Sequence, residues 1–489
     1  MESPQRPSPQ SPPPGCPMHA GVSTPLYGDL FSADPGAVYE KLRANGPAAP
    51  VELAPGVDAT LVTSHEAALR VLQNPGMFAR DSRRWAALNE GRVPMDSPVL
   101  PMMFYRPNCL FTDGAEHLRL RKAVTESLER LNDNRLNRHV ERIAGYLIDQ
   151  FSPLGRADLI NDYAKLLPLL LFNQLFGCPA DIGDRLTRSM SALFDGLDVI
   201  QANEELTSCL MDLVALKRRQ PGDDITSWLI QHPAGLRDEE LKDQLVMLMG
   251  AGVEPERNLI GNALLLLLSG EGGPGLRIED ALDDVLWNNP PIANYATHYP
   301  MQDLNVGGVP MDAGSPVVIS FAAANSDPAL TDARLTLSKG AHLAWGAGPH
   351  ACPAKSPAQL IALSAIECLL NALPDVTLAV PAERAEWRPG PFQRGLVSLP
   401  VRFSPAPART AGPAASADAA AGGPVGWAQG GTEPGQAYPQ GAVAGAARGP
   451  QHQQHQPHAQ HPQHSQHQPH AQHPQKKGWW SSFLDVFRL

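Results

Sequence analysis

The chain has 489 residues, with 39 Lys or Arg against 50 Asp or Glu, for a formal net charge of −11. That acidity, without a dense Lys/Arg stripe, argues against nucleic acid as a partner. The densest apolar run, Leu264 to Leu268, lies too close to Glu254, Glu256 and Arg257 for a span of about 18 residues. No apolar segment follows a charged start as in a secretory leader. The six cysteines, Cys16, Cys109, Cys178, Cys209, Cys352 and Cys368, form no C-x-x-C pair. A reduced, cytoplasmic, soluble protein is expected.

Composition divides the chain unevenly. Residues 1–19 are Pro-rich, and residues 405–475 fill with Ala, Gly and Pro, then His, Gln and Pro. Such segments bury too little apolar surface to offset chain entropy, so both are expected to be disordered. Between them, residues 20–404 have the mixture of a large folded unit able to enclose a cofactor. Residues 476–489 form a short aromatic peptide.

Within the folded unit, residues 36–45 read as a helix stopped at Gly46-Pro47, residues 49–63 as a hairpin, and residues 65–73 as a helix. An Arg-rich amphipathic helix covers 116–132. Helical period dominates from 134 to 220, broken at Gly177-Cys178-Pro179 and Pro221-Gly222. The longest helix spans 240–269 with Pro255 inside it, where one hydrogen bond is lost and a kink is expected. A helix over 278–288 stops at Pro290-Pro291. Short strands follow at 304–311 and 316–321, then a helix at 357–373 and two closing strands. The fold class is mainly α with a small β portion.

The chemistry concentrates in Trp345-Gly346-Ala347-Gly348-Pro349-His350-Ala351-Cys352-Pro353-Ala354. Two glycines at this spacing allow a tight turn that aims N–H groups at a sulfur. A helix N-terminus just beyond favours the thiolate. The segment resembles the haem-binding loop F-G-x-G-x-H-x-C-x-G of the cytochrome P450 family, with Trp345 for Phe and Ala354 for the last Gly. Gly250-Ala251-Gly252-Val253-Glu254 resembles that family's oxygen-groove helix. His117-Leu118-Arg119-Leu120-Arg121 resembles its propionate-binding helix. The stretch from Gly307 to Met311 and on through Ala322 to Pro328 resembles the strands before its haem loop. The likeness covers about residues 25–404.

This resemblance implies the P450 fold, a triangular helical prism around a buried haem b ligated by the Cys352 thiolate. It implies that His117, Arg121, His298 and His350 hold the propionates and that Trp345, Gly346 and Gly348 shape the loop. Ala251, Gly252, Glu254 and Pro255 then line the oxygen groove. It further implies a monooxygenase acting on a small apolar molecule, with a ferredoxin and ferredoxin reductase supplying electrons near Arg119, Lys122 and Lys355. Loops 86–108 and 184–205, with Met102, Met103, Phe104, Phe194 and Leu197, are the expected substrate lining.

Two departures qualify the reading. Pro255 stands where the family has an alcohol beside its acid, so peroxide-driven chemistry, or a haem-binding sensor or docking protein, stays open as an alternative. The family's E-x-x-R reads Asp284-Val285-Leu286-Trp287, resembling an actinobacterial subgroup with Trp for Arg. Trp287 is expected to donate to Asp284, and Arg334 is a candidate second partner. In the tail, histidines recur at every third position from His452 to His473; loose metal binding and low-complexity expansion both remain open. Trp479, Trp480, Phe483, Leu484 and Phe487 share a helical face that could dock on a partner protein, a membrane, or the chain's own core.

Overall fold

The computed structural model describes residues 23–407 apart from 196, 274 and 332–338. The expectations for residues 1–19, Arg334, the His-rich repeats and the terminal aromatic peptide lie outside the described residues.

The chain is built around the helix Asp238–Ser269, roughly 48 Å long at 1.5 Å per residue. Its first turn carries Asp238, Glu239 and Glu240, which complement the positive helix end. Glu240 reaches back to the Arg237 N–H at 2.9 Å. Gly270, at φ 76°, closes the far end. The helix runs through Pro255 without interruption. Its C-terminal half packs into a cluster made by helices Asp133–Phe151, Leu166–Phe176 and Lys355–Ala372. Its N-terminal half, through Leu245, Met249 and Val253, packs on a second cluster with helix Val199–Arg219. Among the described residues no helix is long and apolar enough to cross a membrane.

The β portion is a six-stranded sheet in the order Thr24–Pro25, Ala48–Ala54, Val57–Val62, Val317–Ser320, Asn294–Pro300, Phe78–Ala79. The expected hairpin is its second and third strands, turned at Pro55-Gly56. A three-stranded sheet joins Thr377–Leu378, Pro400–Arg402 and Arg156–Asp158, so the region from 134 to 220 contains a strand where only helix was expected. Strand Asn294–Pro300 was also not foreseen. Its residues are mostly buried on both faces, which erases the alternation that marks a half-exposed strand. Helix Ile278–Asn288 has its expected bounds, and the Arg-rich helix runs Gly114–Leu128.

Candidate active site

The cysteine loop is set by its glycines. Gly346 and Gly348 adopt φ 69° and 70°, which side chains with a Cβ resist. A Cβ on Gly348 would lie 2.2 Å from the Leu72 carbonyl oxygen, so only glycine lets the loop seat against the end of helix His65–Leu72. The loop closes through the Cys352 N–H, which donates to the Trp345 carbonyl at 2.8 Å. The Ala354 N–H donates to Cys352 Sγ at 3.4 Å, and helix Lys355–Ala372 starts one residue later. Burial pushes the Cys352 thiol up, the Ala354 N–H and Arg121 pull it down, and the charge of Glu256 adds to the rise. A coordinating metal ion deprotonates such a thiol outright.

Beside the loop lies a buried group of cations and imidazoles. The rings of His117 and His350 sit 4.0 Å apart. His298 is 3% exposed and its Nδ1 meets the Ala296 carbonyl at 2.5 Å. Arg80, also 3% exposed, belongs to the same group and was not singled out from the sequence. Burial depresses all three imidazoles, and Arg80 pushes each further down. The neighbouring carboxylate, Asp113, accepts the backbone N–H groups of Arg80 and Asp81 at 3.0–3.1 Å and stands 3.9 Å from His350 Nε2. His117 Nε2 is buried with no partner. A buried set of donors with an orphaned nitrogen suits an anion, and the two propionates of haem supply that chemistry. Arg121 is aimed partly elsewhere: its guanidinium donates to the Ala351 carbonyl, and its Nε to Thr125 Oγ1 at 3.1 Å, so it braces the loop next to Cys352.

The oxygen-groove residues behave differently from expectation. Gly252 makes room for a ring: a Cβ there would meet Phe172 Cζ at 2.2 Å. Ala251 is exposed. Glu254, 1% exposed, was expected to line the groove; its Oε1 is paired with Arg388 and with Arg257 at 3.3 Å. Both partners are arginines, and Oε2 has no hydrogen-bond partner. Glu256 is the opposite case. It is buried, its Oε1 has no partner, and burial raises its pKa well above the ordinary 4.5. Burial therefore favours its protonated form.

The Glu256 proton has a stability consequence. Above about pH 5 the unfolded chain has lost this proton while burial in the folded chain favours keeping it, so rising pH weakens the wild type. Glu256→Gln has no such proton. The variant is expected to gain on wild type by up to about 1.4 kcal/mol per pH unit as the pH rises from about 5. Urea unfolding of both proteins across that range reads the difference; parallel curves would show that Glu256 ionises freely.

The expected Trp287–Asp284 bond does not form. Helix Ile278–Asn288 buries Ala281, Leu282, Val285, Leu286 and Trp287, and this phase puts Asp284 outside, where it accepts from Asn288 Nδ2 at 3.0 Å. Trp287 meets His342 edge-on at 5.7 Å instead, and His342 Nε2 lies 4.0 Å from Asp283. Arg119, expected at a docking face, spends its guanidinium on Glu240 at 2.6 Å. Lys122 stays largely exposed. In the expected substrate lining, Met103 belongs to the core and Leu197 is 59% exposed. The side chain of Phe194 lies outside the described residues.

A half-buried, glycine-framed cysteine at a helix start, with a cluster suited to an anion beside it and a long central helix in the same fold, defines a haem-thiolate protein. Comparison with known proteins makes this specific, although no family model matches the chain. It is 30% identical over 401 residues to cytochrome P450 107B1 of Saccharopolyspora erythraea, covering 77% of this chain and 96% of that one. It is 31% identical over 400 residues to cytochrome P450 monooxygenase PikC of Streptomyces venezuelae, covering 77% and 92%. Among solved structures, CYP154C4 from a Streptomyces species superposes with TM-score 0.69 at 28% identity, over 78% of this chain and 98% of the other. The chain belongs to the cytochrome P450 family, and it is a monooxygenase that carries haem on a cysteine thiolate.

Proposed function

We propose that residues 20–404 form a haem domain that inserts one oxygen atom of O2 into a small, apolar, polyketide-like molecule. In this reading a ferredoxin and its reductase supply the electrons. The observation that carries it is the Cys352 loop, with its Ala354 N–H on the sulfur and its adjoining cluster of His117, His298 and His350. The substrate class follows the relatives: a 6-deoxyerythronolide B hydroxylase is 27% identical and a mycinamicin IV hydroxylase/epoxidase is 29% identical.

Haem, when bound, supplies the iron at which O2 is activated. The chain supplies the rest. Cys352 is the thiolate ligand, which pushes electron density toward the iron. The imidazoles and guanidiniums receive the carboxylates. Pro255 offers no hydroxyl and Glu254 is held between two arginines, so the proton source falls to Glu256, whose burial favours the protonated carboxyl. Lys122 and Lys355 remain the candidate cations for the electron donor.

Turnover assays test this reading. Substrate-dependent NADPH consumption matched by product, with a ferredoxin system, is the expected result. Product formed only on adding peroxide would replace it with peroxide-driven chemistry, for which the missing hydroxyl at Pro255 is the specific motive. A haem protein inert under both conditions would contradict the enzyme reading.

A further inference from the structure

Strand Phe78–Ala79 runs antiparallel to the end of strand Asn294–Pro300, with Phe78 opposite Pro300 and Ala79 opposite Tyr299. One further step along this ladder brings Arg80 level with His298. Both are 3% exposed. Arg80 donates from Nη1 to the Thr297 carbonyl at 2.7 Å and from Nε to the Leu110 carbonyl at 3.3 Å. Among the described residues no carboxylate lies within ion-pairing distance of its guanidinium; Asp113 is tied to the backbone N–H groups instead.

A guanidinium taken out of water without a counter-anion is costly, and such groups are retained when a ligand completes them. The three imidazoles around Arg80 carry no negative charge to offset it. One of them, His117, still has an unpaired buried nitrogen. The group as a whole is therefore short of negative charge. It also lies against His350, two residues before Cys352. Thus the missing anion must be one that arrives together with the thiolate-bound group.

We infer that Arg80 is the guanidinium that binds a haem propionate in this chain, from across the sheet beside His298. The inference rests on the haem reading above and adds a cofactor-binding residue to it. Arg80 also supports two loops through the Thr297 and Leu110 carbonyls, so a purely structural role has to be separable from anion binding. The sheet geometry provides the means. A guanidinium restored at position 298 returns charge to the same group from the facing strand, but it is not the Arg80 donor to Thr297 and Leu110.

The experiment follows haem transfer from the holoprotein to excess apomyoglobin, by absorbance, for wild type and three variants. Arg80→Gln keeps a donor but loses the charge, and is expected to lose haem about 10- to 100-fold faster. Arg80→Lys, which keeps the charge, is expected to stay within about threefold of wild type by the same reasoning. Arg80→Gln combined with His298→Arg is expected to recover most of the retention lost by Arg80→Gln. Wild-type haem loss from Arg80→Gln, or no recovery in the double variant, would overturn the inference while leaving the haem reading intact. A wild-type protein that binds no haem would overturn the haem reading itself.

Discussion

Gly348→Ala is expected to abolish stable haem loading. Two costs combine at this position. The residue sits at φ 70°, where a Cβ costs about 1–3 kcal/mol in strained backbone. The same Cβ would be 2.2 Å from the Leu72 carbonyl oxygen and 3.2 Å from Gln73 Cα, both backbone atoms that cannot rotate away. The loop must then lift off the end of helix His65–Leu72 and take Cys352 with it. Gly346→Ala is the control, because its Cβ would meet nothing nearer than 3.7 Å. That variant bears only the strain and is expected to keep a reduced but measurable haem content. The haem-to-protein absorbance ratio of the purified variants checks this. Equal loading of Gly348→Ala and wild type would show that the loop does not need its contact with Leu72.

Glu254→Ala is expected to cost about 3–5 kcal/mol of stability, because it removes the carboxylate from a buried ion pair. Arg257 is 4% exposed and pairs with Glu254 three residues earlier, one turn along the same helix. Arg388 reaches the same carboxylate from the C-terminal part of the chain. Glu254→Gln retains the shape and some hydrogen bonding but loses the charge, so a smaller loss is expected from it. Urea unfolding measures both. If the two variants were as stable as wild type, the Glu254–arginine cluster would be solvated rather than buried, and Glu254 would again be available to move protons.

What could be read from the sequence was local. The cysteine loop needs only the spacing of Gly346, Gly348 and Cys352 with a helix behind them, and the bounds of helix Ile278–Asn288 follow from its acidic start and the prolines after it. What could not be read was made by distant pairings. Arg80 becomes an anion-binding candidate only once its strand pairs with Tyr299 and Pro300, more than 200 residues later. Arg388 and Glu254 are likewise joined by tertiary structure alone. The role of Gly252 depends on Phe172, a ring on another helix. The misplaced Asp284 is a different kind of miss. Its apolar neighbours at 281, 282, 285 and 286 set the helical phase and place it on the outer face, a local signal that outweighs the motif likeness.

The central claim is thiolate ligation of haem by Cys352. It is tested most directly by the carbon monoxide difference spectrum of the dithionite-reduced protein, wild type beside Cys352→Ala. The strongly red-shifted Soret band that gives the family its name is expected in wild type and lost in the variant. A wild-type band at the shorter wavelength of imidazole-ligated haem, or a red-shifted band that survives in Cys352→Ala, would contradict it.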